Sequence, residues 1–358
     1  MVQGEGARIR LGRPDVGARE LAEVEEVFES GMLTMGPKVP EFEAELARAC
    51  EVSYALAVSS GTAALHLAVG ALGLEPGDEV LVPAYTFPAT GNVVALSGLR
   101  PVLVDVDPVT MNVDPAKIEV GPRTKAVLAV HLFGRPAPLE ELPDGLLVLE
   151  DAAGALGARR RGRACGGLGL LGCLSFHPRK IVTTGEGGAV TTNDAAVAEA
   201  VAAARNHGWR SLVPPDLPAP GLNYRLSDIL CAVGLPQLRR LDELLAARTR
   251  IAAGYTERLR HLPVLLPSAE AGDVHGWQAY VLQVADRDRV LAELRTQGIE
   301  AQIGTYALHR LGAYRDQGSF PGATQVFERA LALPFHTQLT DADLDRVAGA
   351  LDKLVSHH

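Results

Sequence analysis

The chain has 358 residues, enough for two domains that each bury a core of their own. Hydrophobic residues make up 47% of it and charged residues 22%, a composition typical of folded globular proteins that excludes a mainly disordered chain. The 43 acidic and 34 basic residues give a formal net charge of -9, which argues against general binding to nucleic acids or anionic membranes.

The N-terminus, the cysteines and the histidines bear on location and metal binding. Residues 1–8 contain no apolar core of a secretion signal, and no segment approaches the roughly 18 apolar residues of a membrane span. The 4 cysteines show neither disulfide nor metal spacing, and the 10 histidines form no metal-binding pattern. We therefore expect a cytoplasmic protein without a membrane span or a metal site.

Short apolar runs alternate with helical patterns over residues 54–193. Because several runs are apolar on both faces, they predict a mostly parallel sheet covered by helices on both sides, which is an α/β fold. The predicted strands are residues 54–58, 80–83, 101–106, 125–130, 146–150, 170–176 and 188–191. In such a fold ligands bind at the carboxyl ends of the strands.

Helical patterns dominate after residue 193, over residues 195–206 and over residues 227–259 with a break expected at Pro236. A further strand is predicted at residues 279–284, and a helix at residues 287–297 that ends on Gly298. The sequence thus predicts a large domain over residues 1–245 and a smaller C-terminal α+β domain over residues 246–358.

The sequence around Lys180 predicts that this lysine is held in place and partly desolvated. Lys180 follows the apolar run 169–176 and precedes the glycine-rich turn 184–188. A partly desolvated lysine is a nucleophilic amine, and enzymes that use pyridoxal phosphate (PLP) hold the cofactor through such an amine. Asp151 directly follows the predicted strand 146–150 and supplies a carboxylate that could keep a pyridine nitrogen protonated.

A turn of small residues, Ser59 to Thr62, lies between a predicted strand and the predicted helix 63–71. Its free backbone N–H groups and the positive end of the helix dipole would form a binding site for a phosphate. Together with Lys180 and Asp151, this turn indicates a PLP site at the carboxyl edge of the sheet.

Eight segments together resemble one family, the DegT/DnrJ/StrS sugar aminotransferases. They are residues 31–45, 59–67, 76–80, 83–90, 104–107, 150–155, 175–188 and 221–238. Each string is short, but their order and spacing are specific and extend over nearly the whole chain. The resemblance implies a PLP-dependent transferase of fold type I, similar to aspartate aminotransferase.

The resemblance also implies a role for each matching residue. Lys180 would form the internal aldimine with the cofactor, Asp151 would pair with the ring nitrogen, and Phe87 would stack on the ring face. The residues that would bind the cofactor phosphate are Ser60, Gly61, Thr62, Ser175 and, from the neighbouring subunit of a homodimer with shared active sites, Asn223. Further candidates, for substrate contacts, are Thr34, Arg225, Tyr306 and His309.

The implied reaction is a transamination in two halves. Glutamate would convert PLP to its pyridoxamine form (PMP), which would then aminate a keto sugar carried on a nucleotide diphosphate. A keto-cyclitol acceptor and a PLP-binding regulatory protein on the same scaffold remain open alternatives. Gly154 departs from the family pattern, which usually has Gln or His three residues after the aspartate, near the cofactor hydroxyl and the sugar. The identity of the sugar therefore stays open.

Two other motifs suggest different interpretations. Residues 167–172 match the dinucleotide pattern G-x-G-x-x-G, but they lead into a predicted strand, whereas that pattern requires a following helix. A nicotinamide oxidoreductase is therefore disfavoured. The arginine-rich run 159–163 would either meet a substrate diphosphate or form a solvated hairpin.

Overall fold

The computed structural model describes residues 8–315 and 317–356, so residues 1–7, 316, 357 and 358 of the predicted domains lie outside it. The strands are β1 (Tyr54–Val58), β2 (Glu79–Pro83), β3 (Tyr85–Thr86), β4 (Arg100–Val104), β5 (Thr124–Val130), β6 (Leu147–Asp151), β7 (Arg159–Arg160), β8 (Arg163–Ala164), β9 (Leu171–Ser175), β10 (Gly188–Thr192), β11 (Ser211–Leu212), β12 (Pro215–Asp216), β13 (Tyr280–Gln283), β14 (Gln302–Ile303), β15 (Tyr306–Ala307) and β16 (Ala330–Leu333).

The helices alternate with these strands in the first half of the chain and dominate the second half. They are α1 (Ala18–Ser30), α2 (Lys38–Ala49), α3 (Gly61–Ala71), α4 (Pro88–Leu96), α5 (Ala195–Ala204), α6 (Asp228–Arg239), α7 (Leu241–Leu259), α8 (Arg287–Thr296), α9 (Pro321–Arg329) and α10 (Asp341–Val355). Within the described ranges, none of them is both long and apolar enough to cross a membrane.

A seven-stranded sheet forms the core of the large domain, in the order β1-β10-β9-β6-β5-β2-β4. The strands from β9 to β4 pair in parallel, while β10 runs antiparallel to β1 and β9. Val80, Leu81 and Val82 are all buried, because apolar groups cover both faces of the sheet. The predicted α/β fold with a mostly parallel sheet is confirmed.

The carboxyl ends of the parallel strands lie along one edge of this sheet. Asp151 ends β6 there, in register with Val130 of β5 and Cys173 of β9. Strand β10 begins at the same edge, since Gly188 is opposite Ser175. The connection between β9 and β10, which carries Lys180, therefore leaves this edge and returns to it.

The predicted helix boundaries are partly wrong. The helix expected from residue 63 begins at Gly61, because Ser60 caps it and its Oγ accepts a hydrogen bond of 3.0 Å from the Ala63 amide. The break expected at Pro236 is also wrong, since α6 continues to Arg239. The Gln237 side chain holds this turn by donating to the carbonyls of Val233, at 2.7 Å, and Thr183, at 2.8 Å.

The small domain packs α7, α8 and α10 against a three-stranded antiparallel sheet, β13-β16-β14. The predicted boundary between residues 245 and 246 falls inside α7. Along this helix, Leu244 belongs to an apolar cluster of the large domain, whereas Ile251 belongs to the small-domain cluster. Ile9, from the N-terminal segment, also packs in the small-domain cluster and pairs with Ile299.

The arginine-rich run forms the hairpin β7–β8, but it is not solvated throughout. Arg160 is only 3% exposed, and its guanidinium pairs with carboxylates of Glu140, Glu270 and Asp273. Glu270 and Asp273 precede the small-domain strand β13 in the chain. The ion network therefore joins the two domains, and the prediction of a solvated hairpin is wrong for Arg160.

We predict that Arg160→Met lowers the free energy of unfolding by about 3 kcal/mol, because it leaves the buried Asp273 carboxylate without a counter-charge. Arg161→Met is the matched control, since the Arg161 side chain is 63% exposed and its ion pair with Glu140 should contribute less than about 1 kcal/mol. Urea denaturation of both variants measures the difference. Equal losses in the two variants would contradict the structural role of Arg160.

Candidate functional site

A cavity of about 520 Å³ opens at the carboxyl edge of the central sheet. Its lining includes seven of the predicted site residues: Ser60, Gly61, Thr62, Phe87, Asp151, Ser175 and Lys180. A larger open cleft of about 1090 Å³ lies on another side of Arg179, but neither Lys180 nor Asp151 lines it. The smaller cavity is therefore the candidate active site.

Lys180 is presented by a closed loop between β9 and β10. The loop is closed by hydrogen bonds from the Phe176 amide to the Gly187 carbonyl, at 2.8 Å, and from the Thr184 amide to the Phe176 carbonyl, at 3.0 Å. Desolvation lowers the pKa of Lys180, and the charge of Arg179 lowers it further, while Asp151 opposes both effects. The loop thus holds an amine that gives up its proton more readily than a solvated lysine.

Asp151 is 5% exposed, at the carboxyl end of β6. Thr90 Oγ1 donates to its Oδ2 at 2.8 Å, and the Ala153 amide donates to its Oδ1 at 3.2 Å. The hydroxyl of Thr90 lies 3.1 Å from that of Thr86. These contacts orient the carboxylate and leave it lone pairs for a ligand N–H group.

The N-terminus of α3 forms the second wall of the cavity. Ser60 caps the helix, and the first N–H groups of a helix have no partner within it. A Cβ atom on Gly61 would lie 2.8 Å from Ser175 Cβ, so only glycine lets the helix approach the end of β9 so closely. The helix end and the hydroxyl groups of Thr62 and Ser175 can therefore bind an anion such as a phosphate.

Two aromatic residues lie near the mouth of the cavity. Phe87 precedes α4, lines the cavity and is 60% exposed. The Tyr306 ring lies 6.3 Å from the Phe87 ring, because β15 pairs with β3 and places Tyr306 beside Thr86. Tyr306 itself does not line the cavity. Phe87 thus offers an aromatic face to a flat ligand ring.

The other predicted site residues do not line the cavity. Thr34 and Asn223 are exposed elsewhere on the surface of the chain. Arg225 Nη1 donates to Asn206 Oδ1 at 2.5 Å, and His309 Nε2 lies 3.0 Å from Thr324 Oγ1. The substrate roles of these residues stay predictions.

Sequence reasoning missed several residues that line the cavity, including His131, Phe133, Arg179, Gln278 and Thr305. His131 directly follows β5, so the rule that ligands bind at strand ends could have found it. Gln278 and Thr305 reach the cavity from the small domain, and no local motif marks them.

His131 also belongs to a buried network under the cavity floor. Its Nε2 lies 2.8 Å from Glu150 Oε2, and its Nδ1 accepts a hydrogen bond of 2.8 Å from the Ala137 amide. Glu150 in turn accepts hydrogen bonds from the amides of Gly166, Leu168 and Gly169 at 2.7–2.8 Å. The glycine-rich motif 167–172 therefore binds a carboxylate of its own chain and leads into β9, so it is not a dinucleotide site.

Comparison with known proteins identifies relatives over nearly the whole chain. A model of the DegT/DnrJ/EryC1/StrS aminotransferase family matches residues 14–352. GDP-perosamine synthase of Caulobacter vibrioides is 39% identical, over 97% of this chain and 98% of that protein.

Two solved structures extend the comparison to the fold. Spr1654 of Streptococcus pneumoniae, in its PLP form, is 27% identical with a TM-score of 0.91, covering 97% of this chain and 98% of that one. DesI, in the presence of its TDP-sugar product, is 34% identical with a TM-score of 0.92, covering 98% of this chain and 94% of that one. The chain therefore belongs to the DegT/DnrJ/EryC1/StrS aminotransferase family.

Proposed function

We propose that the protein is a PLP-dependent aminotransferase that converts a nucleotide-linked keto sugar to an amino sugar. The observation that supports this most directly is that Lys180, Asp151 and the N-terminus of α3 line the same cavity. Membership of the family supports aminotransferase chemistry. GDP-perosamine synthase and DesI, which has a TDP-sugar product, support a nucleotide-linked substrate.

Pyridoxal phosphate is the cofactor. When bound, it supplies an electron-accepting ring that stabilises negative charge on the carbon losing its proton. The cavity fits this group by its set of donors and acceptors: an amine, a buried carboxylate, a helix N-terminus flanked by hydroxyl groups and an exposed aromatic ring.

Each of these groups has a distinct task in the proposed reaction. Lys180 is the amine that would hold the cofactor aldehyde and, when free, would take up and return the proton that leaves the substrate carbon, for which its lowered pKa is suited. Asp151 would accept a hydrogen bond from the ring nitrogen, and Thr90 keeps that carboxylate oriented. Ser60, Thr62 and Ser175, together with the Gly61 backbone, would hold the phosphate.

Glutamate is the amino donor in this proposal. Arg179 lines the cavity, whereas Arg225 is held by Asn206 outside it, so Arg179 is better placed to bind a donor carboxylate. A keto-cyclitol acceptor would use the same amine and carboxylate. We also propose a cytoplasmic location, which agrees with the 4 cysteines all being buried and free.

A homodimer with shared active sites is the remaining part of the proposal. Asn223 lies outside its own cavity, and several apolar side chains nearby in the chain are exposed, including Val213 at 90%, Leu212 at 65% and Leu222 at 52%. Exposed apolar groups are typical of surfaces that contact another protein. A second copy could cover these side chains and bring Asn223 to the partner's phosphate site.

We predict that the purified protein with PLP shows the visible absorbance of bound cofactor, loses it with glutamate and regains it with a nucleotide-linked keto sugar. Lys180→Ala should abolish this cycle, and Asp151→Asn should slow it by at least about 100-fold, because proton transfer and charge stabilisation fail. Stopped-flow absorbance measures both. Lys125→Ala, an exposed lysine whose Nζ donates to the Pro122 carbonyl, is the control.

Three outcomes of this assay would change the proposal. Absorbance unaffected by any amino acid would favour a regulatory protein. Recovery with a keto-cyclitol and with none of a panel of GDP- and TDP-linked keto sugars would replace the acceptor class. A fully active Lys180→Ala variant would contradict the assignment of the amine.

We predict that subunits complement each other. Lys180→Ala and Asn223→Asp subunits should each be inactive, yet hybrid dimers regain one intact site, built from Lys180 of one chain and Asn223 of the other. A random mixture of co-expressed subunits should therefore reach about a quarter of wild-type activity. Activity no higher than the sum of the two parent variants would show that each chain builds its site alone.

We predict that Arg179→Gln shifts the pH dependence of PLP association to higher pH. The free amine of Lys180 is the reactive form, so association accelerates as pH rises through its pKa. Removing the neighbouring cation favours the protonated amine and raises that pKa. Arg163→Gln, an exposed arginine outside the cavity, should leave the profile unchanged. A shift to lower pH would contradict this explanation.

A further inference from the structure

Gln278 enters the candidate active site from the small domain. It lines the cavity together with Lys180, Asp151 and Gly154. Its Nε2 donates to the Arg179 carbonyl at 3.2 Å, directly before Lys180 in the chain. Among the described residues, the Gln278 side chain makes this one hydrogen bond, through Nε2. Its Oε1 can therefore accept a hydrogen bond from a ligand.

The backbone around Gln278 is fixed from both sides. The Gln278 amide donates to the Phe133 carbonyl at 3.0 Å, and buried Arg248 donates to the carbonyls of Trp277, at 2.9 Å, and Gln278, at 3.1 Å. Trp277 has a φ of 49°, in the left-handed region that side chains avoid, and its ring stacks on His275 at 4.0 Å. Such strain persists only where surrounding contacts enforce it, so the position of Gln278 is imposed by the fold.

Gly154 leaves the space that Gln278 uses. A Cβ atom on Gly154 would lie 3.3 Å from Gln278 Oε1 and 3.4 Å from its Cβ and Cγ atoms. A longer side chain at position 154 would therefore compete with Gln278 for the same volume. Gly154 lies three residues after Asp151 in the chain. Side chains at positions 154 and 278 would thus occupy the same volume in the cavity wall.

We propose that Gln278 is a positioning residue that accepts a hydrogen bond from a ligand hydroxyl in the part of the cavity next to Gly154. A neutral amide pairs well with a neutral hydroxyl, because it offers both an acceptor and a donor without a net charge. The hydroxyl belongs either to the cofactor ring or to the keto sugar, and the experiment below separates the two. This inference rests on the proposed function, since it requires a PLP site that accepts a sugar.

Gln278→Met tests the proposal, because methionine keeps the length of the side chain and removes its amide. The second variant, Gly154→Gln combined with Gln278→Ala, returns an amide to the shared place from the other chain position. Gln302→Ala is the matched control: Gln302 also binds Arg179, through a 2.6 Å hydrogen bond from Arg179 Nη1, but it does not line the cavity. Thermal unfolding of each apoprotein reports whether the variants fold.

The measurements are the PLP dissociation constant, the pH dependence of the cofactor's visible absorbance and the KM for the nucleotide-linked keto sugar that restores that absorbance in the wild type. If the hydroxyl is the cofactor's, Gln278→Met weakens PLP binding about tenfold and shifts the absorbance titration. If it is the sugar's, KM for the sugar rises about tenfold while PLP binding and the glutamate half-reaction stay unchanged. In either case the double variant recovers most of the loss.

Two results would overturn the inference. In the first, Gln278→Met equals wild type in all three measurements, or Gln302→Ala shows the same changes as Gln278→Met. Equal changes in these two variants would mean that loss of the contact with Arg179 causes them. In the second, the double variant stays as impaired as Gln278→Met, so positions 154 and 278 do not share one place. A wild-type protein that does not bind PLP at all would instead overturn the proposed function, before any variant is compared.

Discussion

Parallel pairing of β9, β6 and β5 is the constraint on which the site depends. Because these strands run in the same direction, Ser175, Asp151 and His131 leave the sheet at one edge, although they are separated in the sequence. The reversed strand β10 then returns the loop that carries Lys180 to that edge. An antiparallel arrangement of the same segments would place the amine and the carboxylate at opposite ends of the sheet. The chemistry is therefore a consequence of strand direction.

The parts of the site that could be predicted from sequence are those encoded locally. Lys180 lies between an apolar run and a glycine-rich turn, and Asp151 ends an apolar strand, so short windows mark both. Gln278 and Thr305 are not predictable in this way, because they reach the cavity only through packing of the small domain. The prediction of a solvated Arg160 was wrong for the same reason, since its partners Glu270 and Asp273 lie 110 and 113 residues away.

The small domain therefore completes the cavity and also steadies its reactive loop. Arg179 is held twice, with its carbonyl bound by Gln278 and its guanidinium bound by Gln302. Both glutamines belong to the small domain, and Arg179 directly precedes Lys180. Movement of one domain against the other would thus be transmitted to the amine itself. The ion pairs of buried Arg160 limit such movement by tying residues before β13 to the large domain.

The adjacent carboxylates at the end of β6 lie on opposite faces of the sheet. Side chains alternate along a strand, so Asp151 faces the ligand while Glu150 binds the glycine-rich loop at Gly166 and Gly169. Slippage of β6 by a single residue toward its carboxyl end would place the longer Glu150 in the ligand pocket and the apolar Leu149 beside the loop amides. The hydrogen bonds from the loop to Glu150 therefore fix the register of β6. They determine that Asp151, and not Glu150, faces the ligand.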